Sequence, residues 1–230
     1  MRLLAIDCST ERLSVACGDG RSFVLRDERA GQAHAERALP RVREVLAEQG
    51  WTLGSLDAIA FGAGPGSFTG VRIACGIAQG LALGAGLPLV PVGTLEALAQ
   101  EAWHVHGADD VFACLDARMR EVYIGTWRRE GASGWIEADA PSVAKPDAVA
   151  AARTSSFGAG DGFAAYPALA ARIGLARVDA TLAPTARAIG ELAAPRVARG
   201  ETVGARDARP LYVRHRVALT AAERAAGAAL

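Results

Sequence analysis

The chain has no excess charge of either sign. Lys+Arg 25 against Asp+Glu 25 gives a formal net charge of zero over 230 residues, so electrostatics alone would not hold a polyanion or an acidic membrane surface tightly. Cysteine is scarce: Cys8, Cys17, Cys75 and Cys114 are scattered, apolar-flanked and never in C-x-x-C spacing. That excludes a disulfide framework and a thiolate zinc site, and reads as reduced thiols of a cytoplasmic protein. The opening run Met1 to Ile6 is too short for a signal peptide and is cut by Asp7. Half of the residues are hydrophobic (51%), ample for one domain or two small lobes.

One long uncharged run is present, from Ile73 to Leu95, with Gly76, Gly80 and Gly84 in G-x-x-x-G spacing. Pro88 and Pro91 divide it into a helix ending near Gly84 to Gly86 and a short strand at Leu89 to Val90, a pattern of burial rather than of membrane spanning. The three glycines should each cost about 1 kcal/mol relative to alanine, so another element is expected to pack closely on this helix. Either the protein's own sheet or a partner would serve.

Strands come first: Leu3 to Cys8, Leu13 to Gly18, a turn at Asp19-Gly20, and Ser22 to Arg26. An amphipathic helix follows, with Ala38, Leu39, Val42, Val45 and Leu46 on one stripe and Pro40 opening or kinking it. Next are a strand at Ala58 to Gly62, the uncharged helix, a strand at Leu89 to Val92 and a helix from Thr94 to about Trp103. From Val111 the order begins again, with strands at Val111 to Asp116 and Glu121 to Trp127 and a polar turn at Arg128 to Gly134. A helix at Asp147 to Ala152, a strand at Ser155 to Phe157 and helices at Phe163 to Ile173 and Pro184 to Arg199 complete it. Two strands-first units predict a duplicated α/β architecture of two lobes, 1–106 and 107–216. The end of the second packs back on the first, and 217–230 forms a flexible tail.

Between the Ala58 strand and the uncharged helix stands Gly64-Pro65-Gly66-Ser67-Phe68-Thr69-Gly70. A strand, a glycine loop and a helix start make an anion site, with Ser67 or Thr69 as cap. The loop lacks the Lys-Ser/Thr ending of a P-loop and is not G-x-G-x-x-G with a following acid, so a plain structural turn is the competing reading. It is not a G-x-S-x-G elbow either, and Ser67 has no His–Asp arrangement beside it, which leaves a hydrolase without a nucleophile. The glycines at 158, 160 and 162 read as a strand-to-helix turn, or as room beneath an adenine.

Several segments together resemble the TsaB (YeaZ) family: Leu4 to Thr10, the helix from His34-Ala35-Glu36 to Leu39-Pro40, Gly64 to Gly84, Asp116 to Tyr123, and Pro210-Leu211-Tyr212-Val213-Arg214. The resemblance implies the actin/hexokinase/Hsp70 (ASKHA) fold, two ribonuclease-H-like lobes with mixed sheets flanked by helices. It also implies a part in making threonylcarbamoyladenosine beside the anticodon of tRNAs reading ANN codons. In that family this subunit is a non-catalytic scaffold for its transferase paralogue TsaD, with the ATPase TsaE joining when ATP is present. The tRNA is met only through the complex, and the partner-binding surface could form a homodimer when the partner is absent.

Several residue expectations follow from the resemblance. The paralogue's metal-binding histidines fall on Thr94 and Leu98, neither of which offers an imidazole, and His104 and His106 read as ordinary polar residues. Asp7, Ser9, Gly66, Ser67 and Asp116 mark a vestigial or partner-completed nucleotide site, with ATP or ADP held only in the assembled complex. Asp116 is followed by Ala117-Arg118, where an active member has glycine, and these side chains hinder close approach to phosphate. His34, Leu39, Val42, Val71, Cys75, Ala78 and Ala82 are expected at the TsaD interface, so that Ala78→Arg would block docking without unfolding the chain. Among Arg118, Arg120, Arg128, Arg129, Arg206, Arg209, Arg214 and Arg216, some offer phosphate contacts. The alternative from another class is a stand-alone ATPase or small-molecule kinase, motivated by Asp7, Ser9 and the glycine loop.

Overall fold

A computed structural model describes residues 1–131, 134–153 and 155–214. The expected tail 217–230 and Arg216 lie outside them. The elements in chain order are β1 (Leu3–Asp7), β2 (Arg12–Gly18), β3 (Phe23–Arg29), α1 (His34–Glu48), β4 (Ala58–Gly64), α2 (Phe68–Ala85), β5 (Leu89–Gly93) and α3 (Thr94–His106). Then come β6 (Asp110–Asp116), β7 (Val122–Arg129), β8 (Trp135–Ala144), β9 (Phe157–Ala159), α4 (Gly162–Ala165), α5 (Ala168–Ile173), β10 (Val178–Asp179) and α6 (Ala186–Ala198).

Two five-stranded sheets repeat one plan. The first runs β3-β2-β1-β4-β5 and the second β10-β9-β6-β7-β8. In each, the first three strands form an antiparallel meander and two later ones add in parallel on the other side. This is the ASKHA arrangement of two mixed sheets flanked by helices. Alternating residues of β1 supply two cores. Leu4, Ile6 and, just past the strand's end, Cys8 join the α1 and α2 side with Val42, Val45 and Ala78, whereas Ala5 joins the opposite side with Ala186 and Ile189 of α6. Helix α3 lies between the sheets: Leu95 and Leu98 pack among residues of β6, β7 and β9, while Ala97 joins the core beneath α6.

The end of the 107–216 span lies against the first lobe. Helix α6 covers β1, β2, β4 and β5 of the first sheet. Val203 exchanges backbone hydrogen bonds with Leu89, and the Gln79 amide of α2 donates to the carbonyls of Ala205 and Ala208. The first lobe is thus assembled from both ends of the described chain. Its pattern predicted a helix at Pro184 to Arg199 but not the sheet that its apolar face would cover.

Three local differences have visible causes. Strand β8 was not among the expected elements; it carries Glu137, Asp139 and Pro141 and is an edge strand, where proline and exposed acids are tolerated. The expected helix at Asp147 to Ala152 is a single turn at Pro146–Ala148. The Arg172 guanidinium takes the carbonyls of Pro146 and Val149, and the Ala152 amide donates to Ile173. The helix expected at Phe163 to Ile173 is broken into α4 and α5 around Pro167. Helix α1 retains Pro40 in its interior, and α2 and α3 end on left-handed glycines, Gly86 and Gly107.

Candidate functional site

A cleft of about 1130 Å3 opens between the lobes. On one wall are the turn Ser9 to Glu11 after β1, the loop Pro65 to Ser67 and the first turn of α2, Phe68 to Val71. The other carries the β6–β7 turn, Asp116 to Met119, with Asp161. Ser67 caps α2 by accepting the Gly70 amide at 3.3 Å, and its own amide donates to the Ser9 carbonyl at 2.7 Å. Glycine is required at 66 and 70 because a Cβ there would fall 2.5 Å from the Ser9 carbonyl oxygen and 1.8 Å from that of Cys8. Four of the five residues expected at a nucleotide site, Ser9, Gly66, Ser67 and Asp116, therefore line one cleft.

The fifth, Asp7, does not reach it. Its carboxylate is wholly buried on the α6 side of β1, and one oxygen, Oδ2, accepts the amide and the hydroxyl of Ser9 at 3.1 and 2.8 Å. The other, Oδ1, has no hydrogen-bond partner among the described residues and rests against Gly62, where a Cβ would fall 1.9 Å from it. Burial pushes the Asp7 carboxyl up to about 7, the Ser9 hydrogen bonds opposing. On the facing turn, Asp116 accepts the Arg118 amide at 2.8 Å and the Arg118 guanidinium at 3.0 Å, and that guanidinium also approaches Glu11 across the cleft at 3.4 Å. Beside it, burial raises the Asp161 carboxyl, whose Oδ1 accepts the Asp116 amide.

A magnesium–triphosphate does not fit these residues. The metal would need ionised, accessible carboxylates; Asp7 is enclosed, with burial opposing its charged form, and Asp116 is already paired. Arg118, Met119 and Arg120 all hold positive φ, at 58°, 53° and 60°, in a turn that places side chains where an Asp-x-Gly hairpin would leave backbone open to phosphate.

The remaining candidates fall into place individually. Thr94 is buried and its hydroxyl donates to the Pro65 carbonyl, while Leu98 is a core residue. His104 sits between Glu101 and Glu191, with Nε2 2.9 Å from the latter, and His106 pairs with Asp179 at 2.8 Å. No cluster of three metal-ligating side chains occurs among the described residues. Gly160 and Gly162 bring the turn after β9 onto the Cys114 backbone and sulfur, closer than any Cβ allows, which supports the turn reading. All four cysteines are unpaired and buried, and burial raises each thiol, so none is a ready nucleophile.

The expected interface residues need correction. Val42, Val71, Cys75, Ala78 and Ala82 are buried in the protein's own core, and His34 is buried with Nε2 3.1 Å from the Arg12 carbonyl. Of the seven, Leu39 alone is well exposed, at 42%. The cause is helix phase. Helix α2 turns its alanine side to β4, where small side chains let helix and sheet approach, and its glycine side outward. Nothing lies within 4 Å of a Cβ built at Gly76, Gly80 or Gly84. Ile73, Ile77 and Leu81 flank that stripe half-buried, and Leu83 is exposed. The helix is long and apolar enough to cross a membrane by length and composition, but its alanine face forms part of the first lobe's core.

Relatives share this architecture and sequence. A family model described as TsaD, tRNA N6-adenosine threonylcarbamoyltransferase, matches residues 27–205. The solved structure of YeaZ from Pseudomonas aeruginosa superposes with a TM-score of 0.85 at 41% identity, covering 92% of this chain and 99% of that one. The tRNA threonylcarbamoyladenosine biosynthesis protein TsaB of Escherichia coli (strain K12) is 41% identical over 95% of this chain and 96% of its own length. That of Haemophilus influenzae is 39% identical over 94% and 95%. With 92–95% of this chain and 95–99% of each of these three relatives covered at about 40% identity, the chain belongs to the TsaB (YeaZ) family.

Proposed function

We propose that the protein is a non-catalytic scaffold subunit in threonylcarbamoyladenosine formation, acting in the cytoplasm on tRNAs that read ANN codons. It docks on TsaD and brings TsaE to the pair when ATP is present. The observation that carries the non-catalytic part is the state of two carboxylates, Asp7 enclosed by β1, Gly62 and Ser9 out of reach of the cleft, and Asp116 in the cleft held by Arg118. ATP or ADP belongs to the assembled complex, where a partner can complete what this cleft lacks. The docking surface is the outward side of α2, Gly76, Gly80 and Gly84 with Ile73, Ile77 and Leu81, together with Leu39 of the adjacent α1. A glycine stripe lets another helix approach closely and regain the roughly 3 kcal/mol that three exposed glycines cost. The same surface can close a homodimer when TsaD is absent.

The test is capture of the tagged chain from its own cells with and without ATP, identifying the bound proteins by mass spectrometry. Recovery of TsaD, with TsaE added by ATP, is expected. Magnesium-dependent ATP turnover by the isolated chain, lost in Asp7→Ala, would replace this reading with the stand-alone ATPase or kinase, for which the size of the cleft is the favouring observation.

A further inference from the structure

Four of the exposed large apolar side chains, Phe68, Met119, Leu211 and Tyr212, gather at the mouth of the cleft. Phe68 and Tyr212 are each about half exposed, at 54% and 52%, and their ring centres lie 6.4 Å apart. The Arg72 guanidinium carbon is 3.3 Å from the Phe68 ring centre and 5.0 Å from that of Tyr212, and its Nη1 donates to the Phe68 carbonyl. Stacking and this hydrogen bond fix the guanidinium plane, and the side chain stays exposed. The neighbouring arginines are engaged: Arg118 with Asp116 and Glu11, and Arg214 with Glu121 and the Ala117 carbonyl. Arg72, and Arg120 of the opposite turn, have no ion pair among the described residues.

We propose that the Phe68–Arg72–Tyr212 cluster is a stacking platform for an unpaired nucleotide of RNA. Planar aromatic and guanidinium faces bind nucleobases without sequence readout, and unpaired guanidiniums take the adjoining phosphate. The cleft behind the rings offers Thr10, Gln32, Ser67 and Thr69 to the edge of an entering base. An acidic peptide would meet the same charge but would make no use of two half-exposed rings. This inference goes beyond the scaffold reading and does not need TsaD. It departs from the expectation that tRNA is met only through the complex, and the zero net charge means that binding is weak and best seen at low salt.

The experiment is fluorescence anisotropy of a labelled ten-nucleotide single-stranded RNA without self-pairing, titrated with the full chain at low ionic strength. Binding is expected. Phe68→Ala and Tyr212→Ala should each weaken it about tenfold or more. Arg72→Gln should weaken it and reduce the salt slope by about one. Tyr212→Phe, which keeps the ring, should bind as the unaltered protein does, as should Val105→Ala at a distant exposed site. The proposal is overturned if the unaltered chain does not bind, if Tyr212→Ala and Arg72→Gln bind like it while folded by thermal unfolding, or if abasic RNA or polyglutamate competes as well as RNA. Should Tyr212→Ala not fold, Phe68→Ala and Arg72→Gln decide. None of these outcomes touches capture of TsaD, so the two readings fail separately.

Discussion

Ser9 gives both its amide and its hydroxyl to one oxygen of Asp7, and so turns toward the interior a serine that also lines the cleft. The folded chain holds Asp7 at about 7, against an ordinary carboxyl value of about 3.9 in an unfolded chain. Between those values the folded state binds the extra proton, so stability falls as pH rises from about 4 to 7 and levels off above, by roughly 4 kcal/mol at full ionisation. Asp7→Asn keeps an acceptor for Ser9 and carries no charge. It should raise the thermal midpoint at pH 8 and flatten that decline; thermal unfolding across pH 4 to 9 checks it, and an unchanged slope would refute the assignment.

His104 has the opposite sign. Hydrogen bonds to Glu101 and Glu191 push it up to about 9 in the folded chain, above the ordinary histidine value of about 6.5. Its contribution is complete below the lower value and disappears as pH rises through the upper one. His104→Gln should cost about 1–3 kcal/mol at pH 6 and almost nothing near pH 10, measured by urea unfolding at both.

Substitutions on the two sides of α2 should separate stability from assembly. Ala78→Arg, earlier expected to spare the fold, buries a guanidinium between α2 and the first sheet and should destabilise by several kcal/mol. Gly80→Arg points into open space and should leave stability unchanged or raise it by up to about 1 kcal/mol, read as an unchanged or higher thermal midpoint. It should still abolish capture of TsaD. A Gly80→Arg chain that captures TsaD normally would move the interface elsewhere.

Arg214 ties the segment after α6 to the second lobe through Glu121 and the Ala117 carbonyl, while the Leu211 amide donates to Ala63 of the first. Arg214→Ala should lower stability by about 1–3 kcal/mol and speed hydrogen exchange at Leu211 more than at Ile59 of β4. Equal acceleration at both sites would show that the tie is not local.

The duplicated order of elements was legible because each unit opens on β-branched and apolar runs with turn residues at short spacing, as at Leu13 to Gly18 and Val111 to Asp116. The cleft was legible through its glycines: Gly66 and Gly70 are there because the Ser9 and Cys8 carbonyls leave no room for a Cβ. Helix phase was not. Helix α2 is apolar nearly all round, so its pattern could not say whether Ala78 or Gly80 faced the sheet. The enclosure of Asp7 was equally hidden, because it depends on Gly62 and on Ile189 of α6, distant in sequence. The Phe68–Arg72 pair lies four residues apart on one helix and was readable as a contact. Tyr212 joins them only because the chain returns to the first lobe.

That return also has a consequence for synthesis. Until residues 186–198 have left the ribosome, the face of the first sheet carrying Ala5, Ala16, Ala60 and Val90 has no helix to cover it. The second lobe, made in between, can close on local pairings from β6 onward, whereas the first must wait for almost the whole described chain. Its nascent form exposes apolar surface for several seconds at ordinary elongation rates of about 5–20 residues per second. The N-terminal lobe is therefore the last to be finished, and truncation before α6 should yield an aggregating fragment rather than an independent domain.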